Sequence, residues 1–340
     1  MEQRAVGRSG LTVSAIGLGG GNWGREIDEE SSYRVMDYAV EKGITFFDTG
    51  DTYGGGQSRE GRKRNYGIED EREVSDEMYS SEKIIGRWMR KRGCRDEITL
   101  CTKVYTGGDP ENIAIALAGS LERLGTDRVD IYKLHSPDPT VPIAETVTAM
   151  AEQVRAGRTS VIGASNQTPE QLEDALAVSA AGGYARWEIV QPPYSLALPE
   201  AEDDLFPLCR EREIAITSYS PLAAGFLTGK YGRDPASWPA GSRYHIVPSH
   251  ADIYFNDRNF RILDLLKEKE AQTGIPSVQL AMAWAMTHRD ITSTLVGARN
   301  PEQVDNALAA FEMSLDPDLR AEMASWTTYE GADLGNPNNS

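Results

Sequence analysis

The chain has 340 residues, 40% hydrophobic and 26% charged, the composition of a globular protein with a sizeable core. Its 52 acidic residues outnumber 35 basic ones for a net charge of −17, which argues against nucleic acid or an anionic membrane surface as a partner. Three scattered cysteines in no CxxC spacing, an N-terminus (MEQRAVGRSG) without a signal pattern, and no apolar run of membrane length point to a reducing cytoplasmic compartment with no readable disulfide or zinc framework.

In chain order, residues 2–14 read as a short hairpin with Gly10 in its turn. The stretch GLGGGNWG follows. Gly19, Gly21 and Gly24 satisfy GxGxxG, but no helical stretch begins at Gly24 and no acid ends a strand at the required distance, so a dinucleotide fingerprint is rejected. A unit then recurs: a short apolar run, a loop rich in Gly, Ser, Asp or Pro, and an amphipathic stretch. The runs are AIGLGG (15–20), ITFFDT (44–49), EITLCTK (97–103), VDIYKLH (129–135), TSVIGAS (159–165), EIVQPPY (188–194), IAITSYS (214–220) and TSTLVGA (292–298). Helical spacing marks 33–43, 111–125, 144–157, 169–183 and 301–311, with two further helical stretches in 257–289. Strands alternating with helices imply parallel βαβ units, and eight of them imply an α/β fold of the (β/α)8 TIM-barrel type, with 1–340 as a single domain. Two connections are long. One runs from about Gly54 to Tyr79 through SREGRKRNYGIEDEREVSDEM and reads as a solvated, partly mobile loop or, because it follows Tyr53, a lid. The other, from Pro221 to about Asn256, holds Trp238, Tyr244, His245, His250, Tyr254 and Phe255, an aromatic content that suggests it contacts something rather than being an ordinary polar loop.

In a parallel barrel the C-terminal strand ends open on one face, where active sites sit. Those ends carry Asp48 with Tyr53 just beyond, then Lys103, His135, Ser165 with Asn166, Gln191, and Tyr219 with Ser220. Taken singly, Lys103 reads as a snorkelling lysine, His135 as a core histidine, and Ser165 and Asn166 as helix caps. Together they suggest proton chemistry. A lysine near a phenol, itself held by an acid, lowers the phenol's pKa from about 10, and a neutral His beside it orients or polarises the same carbonyl oxygen. No ligand spacing for a metal is visible.

These residues resemble the aldo-keto reductase superfamily over nearly the whole chain, from VSAIGLGG to GARNPEQVDN. ITFFDTGDTYG, LCTK, LH, IGASN and SYSPLAAGFLTGKY are similar to successive family segments. The resemblance implies Tyr53 as proton donor, Lys103 and Asp48 as its tuning partners, and His135 near the carbonyl. It implies Ser165, Asn166 and Gln191 on a nicotinamide carboxamide, Tyr219 against the ring, and Ser220, Leu222, Gly225 and Lys230 along a pyrophosphate path. Gly20 then keeps the first strand's mouth open beside the cofactor, and Trp23 joins Tyr53 and His135 as substrate-pocket wall. The tail 297–306 resembles the adenosine-end motif. It includes Gly297 and Asn306, with Gln303 near the adenine and Arg299 suited to a 2′-phosphate, which points to NADP(H). Three departures stand out: the long 57–79 insertion, Ala307 where the family often carries Asn, and the Pro pair in the QPPYS that ends the sixth strand after Gln191. The implied activity is NADPH-dependent reduction of an aldehyde or ketone. Dehydrogenation of a secondary alcohol or sugar, and a cofactor-sensing binding subunit with little turnover, are the alternatives. The partner is a small carbonyl or alcohol; neither its identity nor the oligomeric state is legible.

Overall fold

The computed structural model of the chain describes residues 1–67, 74–313 and 315–328. It opens with an antiparallel hairpin, β1 (Gln3–Ala5) and β2 (Thr12–Ser14), with Gly10 in the connection. Eight parallel strands then close into a barrel: β3 (Ile16–Gly19), β4 (Phe46–Asp48), β5 (Thr99–Val104), β6 (Val129–Leu134), β7 (Thr159–Ser165), β8 (Trp187–Gln191), β9 (Ala215–Ser218) and β10 (Ser293–Val296), with β10 between β9 and β3. Each lies within one of the eight apolar runs or departs from it by a residue. The second is shorter than its run because the Ser14 hydroxyl accepts from the amides of Thr45 (3.1 Å) and Phe46 (3.0 Å).

Alternate strand residues face the barrel interior. One interior layer is apolar: Phe46, Cys101, Ile131, Val161, Ile189, Ala215 and Leu295, joined by Val6 and Val13 of the hairpin segment. The hairpin thus closes the floor. Two residues further along the same strands stand Asp48, Lys103, Lys133, Gly163, Gln191 and Thr217, all buried.

The chain divides into two compact units. The first comprises Met1–Pro193, Ala201–Tyr219 and Arg289–Asp305 and contains the whole barrel; the second comprises Tyr194–Glu200, Ser220–His288 and the chain from Asn306 onward. In the first unit, α1 (Glu29–Glu41) begins before the stretch read for it because Asp28 caps it, accepting from the Ser31 amide at 2.7 Å. Next come α2 (Gly55–Tyr66), α3 (Ser80–Arg92), α4 (Pro110–Leu124), α5 (Ile143–Arg155), α6 (Pro169–Gly182) and α7 (Leu205–Arg212). Helices α3 and α7 lie outside the stretches read above.

The first long connection is not simply a loop. Its basic half is α2, which opens on Gly55 and Gly56, takes its helix-forming tendency from the Gln, Arg, Glu and Lys residues that follow, and is stopped by left-handed Gly67. Gln57 ties it down, donating to the carbonyls of Asp51 (3.2 Å) and Tyr53 (3.3 Å) and accepting from the Tyr79 amide (2.6 Å). The acidic half at 68–73, part of the expected lid, lies outside the described residues.

The second unit holds α8 (Arg243–Ile246), α9 (Ala251–Tyr254), α10 (Asp257–Thr273) and α11 (Ser277–Met286), then α13 (Pro317–Ser325), while α12 (Pro301–Glu312) runs across the boundary. As read, 257–289 is two helices without a strand between them. The aromatic loop turns inward. Tyr244 is buried edge-on to Tyr231 (4.6 Å between centroids) and Phe255 (4.9 Å), and Trp238 meets Phe255 at 5.1 Å. These rings contact one another, forming the core that so long a segment needs. Among the described residues no helix is long and apolar enough to cross a membrane. Cys94, Cys101 and Cys209 are buried free thiols.

Candidate active site at the strand ends

The upper interior layer holds the densest buried charge of the first unit. Lys103, wholly buried on β5, hydrogen-bonds the Asp48 carboxylate through Nζ, and also donates to the Thr49 carbonyl (2.7 Å) and the Tyr53 hydroxyl (3.4 Å). Burial by itself would raise the Asp48 pKa, but the charges of Lys103 and then Lys133 outweigh it and hold the carboxyl below its usual range. Burial pulls Lys103 down, and the Asp48 charge overrides it, so the ammonium is kept. The pair is an ionised carboxylate and a protonated lysine sealed from water.

Lys133 does not figure among the sequence-read site residues. It is also wholly buried, and its Nζ donates to Gln191 Oε1 (2.6 Å), Thr217 Oγ1 (3.2 Å) and Asp48 Oδ2 (3.3 Å). The available signal was its position two residues after Ile131 in an otherwise apolar run, which puts it on the interior face of β6.

Tyr53 is brought over this layer by a turn in which its amide donates to the Gly50 carbonyl at 3.0 Å. Gly54 has φ 137°, and a Cβ there would fall 2.5 Å from the Ser80 amide, so only glycine permits the turn to press against α3. The expected lowering of the phenol is reversed. Burial raises Tyr53 above its ordinary value, Lys103 opposes, and Asp48 adds to the rise. The physical reason is burial of the hydroxyl, which outweighs the opposing charge of Lys103. Asp51 in the same turn is pushed up to about 6 by burial, although it accepts from the Tyr105 amide at 3.2 Å.

His135 stands edge-on to Tyr53, with ring centroids 5.5 Å apart. Its Nδ1 is buried without a partner among the described residues, and burial, then Lys103, lowers its pKa to about 3. The imidazole is neutral across the physiological range. Tyr105, 58% exposed, also stands edge-on to His135, with centroids 5.4 Å apart, a ring that the sequence reading did not single out. The rim continues through hydrogen bonds. Asn166, in the left-handed region that Asn tolerates, donates to the His135 carbonyl (3.0 Å) and accepts from the Tyr219 hydroxyl (2.8 Å). Ser165 donates to the Gln191 carbonyl at 2.7 Å. Trp23, expected as a pocket wall, has no exposed surface. It lies beneath Gly20, 6.2 Å from the Phe47 ring, because β4 turns Phe47 outward toward α3.

At the end of β10, Gly297 is exposed and Arg299 lies 3.7 Å from the Glu26 carboxylate. Gln303, expected near an adenine, folds back so that its Oε1 accepts from the Arg299 amide at 2.8 Å. In the second unit, Ser220, Ala223 and Ala224 have φ of 57°, 50° and 53°, and Gly225 has φ 95°. Non-glycine residues held in this region mark strain of the kind found at ligand clamps. Lys230 approaches Gly225, its Nζ 4.0 Å from where a Cβ would stand. Leu222 begins the tight turn, its carbonyl accepting from the Gly225 amide at 2.9 Å. Asn306 accepts from Gln279 Nε2 at 3.3 Å.

Residues 15–327 match the profile of the Aldo/keto reductase family. The chain is 32% identical over 333 residues to the uncharacterized oxidoreductase YrpG of Bacillus subtilis strain 168, covering 94% of each. It is 31% identical to the NADH-specific methylglyoxal reductase of Escherichia coli K12, over 95% of this chain and 98% of that one. It is 28% identical to the aldo-keto reductase yakc (NADP+) of Schizosaccharomyces pombe, over 89% and 85% respectively.

Proposed function

The chain belongs to the aldo/keto reductase family, and from that premise we propose that it is an NADP(H)-dependent reductase of a small aldehyde or ketone, with Tyr53 as proton donor. One observation carries the reading: Lys103 Nζ stands between the Asp48 carboxylate and the Tyr53 hydroxyl, beside a neutral His135. The nicotinamide cofactor, when bound, supplies the hydride. Tyr53 holds its proton at working pH, as a general acid must, and gives it to the carbonyl oxygen as negative charge develops there. Lys103 then stabilises the phenolate left behind, and Asp48 keeps Lys103 aimed. His135 orients the same oxygen without competing for the proton.

The residues fit such a cofactor. Gln191 Nε2 has no partner among the described residues, and Asn166 and Tyr219 form a polar and aromatic rim. Ser165 positions Gln191. We assign Ser220, Leu222, Gly225 and Lys230 to a phosphate clasp, supported by the strained backbone there. Gly20, Gly297, Gln303 and Asn306 are assigned to the cofactor's path, and Arg299 to a 2′-phosphate. The relatives differ on this last point, one being NADH-specific and another NADP+-linked by name, so Arg299 is the residue on which the preference turns. We assign the chain to the cytoplasm, which fits its three free thiols, and take 1–340 as one functional domain. The reverse reaction, oxidation of an alcohol, uses the same groups.

Tyr53→Phe tests the reading. Single-turnover NADPH oxidation against an aromatic aldehyde should fall by about 10²–10⁴ while NADPH affinity survives. Near-normal transfer by this variant ends the assignment.

A further inference from the structure

The geometry points to Lys133 as a positioning residue of the proposed reductase site, an inference that rests on that reading. Its buried ammonium fixes the orientation of the Asp48 carboxylate and the Gln191 carboxamide, and leaves the layer one positive charge in excess.

Lys103 and Lys133 are register partners on adjacent strands, so their side chains enter the barrel at one level. Between them lies a single carboxylate. Lys103 takes Asp48 Oδ1 and Lys133 takes Oδ2. A carboxylate held at both oxygens cannot rotate, and its Oδ1 stays on Lys103, the lysine that faces Tyr53. Placing a second ammonium in a wholly buried layer is costly unless every proton is used. Here all three are used: on Asp48, Gln191 and Thr217, across three different strands.

The bond to Gln191 sets a direction. A carboxamide can flip, exchanging oxygen for nitrogen, and only its oxygen can accept from an ammonium. At 2.6 Å from Lys133 Nζ the oxygen must face inward, so the NH2 faces away from the layer. Gln191 is thereby presented as a donor. Without Lys133 the amide would be free to turn over.

The charge count gives the second effect. Two ammoniums against one carboxylate leave the layer at +1 beneath Tyr53 and His135, at effective dielectric far below that of water. That field favours negative charge on an oxygen arriving above the layer. It also acts against protonation of His135, in the direction already noted. A lysine that only filled the barrel would do neither.

Two substitutions separate orientation from charge. Lys133→Met keeps the length and removes both charge and donor. NADPH affinity, followed by quenching of intrinsic fluorescence, should weaken roughly tenfold, and single-turnover reduction of an aromatic aldehyde should fall about 10–100-fold. In a Gln191→Ala background the same change should have no further effect on affinity, because the amide it orients is gone. Lys133→Gln is neutral but still a donor, and it also serves if the methionine variant fails to fold. It should largely keep affinity while losing turnover. Unchanged affinity and turnover in folded Lys133→Met, with only a lower melting temperature, overturns the inference, as does full additivity with Gln191→Ala. So does a Lys133→Gln variant with wild-type turnover. Tyr53→Phe run alongside distinguishes the failures: normal transfer there removes the proton-donor reading itself, whereas loss there with normal Lys133 variants removes only the role of Lys133.

Discussion

Two layers of the barrel interior lie two residues apart on the same strands and are chemically opposite. The lower, from Phe46 through Ile131 to Leu295, is apolar and closed below by the hairpin segment. The upper, Asp48, Lys103, Lys133, Gln191 and Thr217, is as deeply buried and is a polar network carrying three formal charges. The lower layer stabilises the fold by removing apolar area from water. The upper layer gains little net stability, since desolvation offsets the attraction of its ion pairs. Its composition is explained by what it holds in place above it.

The largest predicted effect sharpens that contrast. Lys103→Met should cut kcat by about 10²–10⁴, comparable with Tyr53→Phe, and the two losses should not add because both residues serve one proton transfer. One layer down, Ile131→Ala should cost about 2–5 kcal/mol of stability while the enzyme that remains folded turns over normally. Urea unfolding and kcat measured on both variants test the pair. An Ile131→Ala variant that is stable but inactive would break the comparison.

At the cofactor end the expected effects are smaller. Arg299→Ala should weaken NADPH by about 1.5–3 kcal/mol and leave NADH nearly untouched. Equal loss for both would sink the 2′-phosphate assignment. Because Glu26 lies against the same guanidinium, Glu26→Gln should tighten NADPH by up to about 1 kcal/mol, read by the same titration.

The smallest effects are in the pH dependence of stability. His135 has its folded pKa lowered to about 3, so the unfolded chain binds the extra proton and stability is lost as pH falls from about 6.5 toward 3. Asp51 has its folded pKa raised to about 6, so the folded chain binds the extra proton and stability is lost as pH rises from about 4 through 6. The two oppose each other. Melting temperatures recorded from pH 4 to 7 should therefore show His135→Asn flattening the acid loss and Asp51→Asn steepening it. Parallel curves for all three proteins would exclude both contributions.

The strands were legible because a buried barrel strand reads as a short apolar run; six of the eight are ended by a polar residue, while the first and last run into glycine. The helix over 169–183 was legible from its spacing, but its cap is Thr168 with Gln171 and not Ser165 or Asn166, which read as caps taken singly. What depends on neighbours in space was not. Lys133 became visible as a site residue only when three other strands supplied its acceptors. Tyr53's raised pKa is a balance of burial against a lysine already shared with Asp48, and no spacing encodes that balance. Trp23 follows a glycine turn that suggests an open mouth, yet β4 points Phe47 at it and closes it in. The helix α2 lacks an apolar stripe, so the periodicity that marks the others is absent.

The three thiols acquire a meaning beside this chemistry. Reactive aldehydes and dicarbonyls modify thiolates, and an enzyme that binds them exposes itself to its own substrate. Cys101 and Cys209 are pushed up to about 12 by burial, and Cys94 is raised by burial and by Glu97. At neutral pH all three are protonated thiols with little nucleophilic character. In the proposed reductase, burial and raised pKa values keep these three sulfurs from reacting with its own carbonyl substrate.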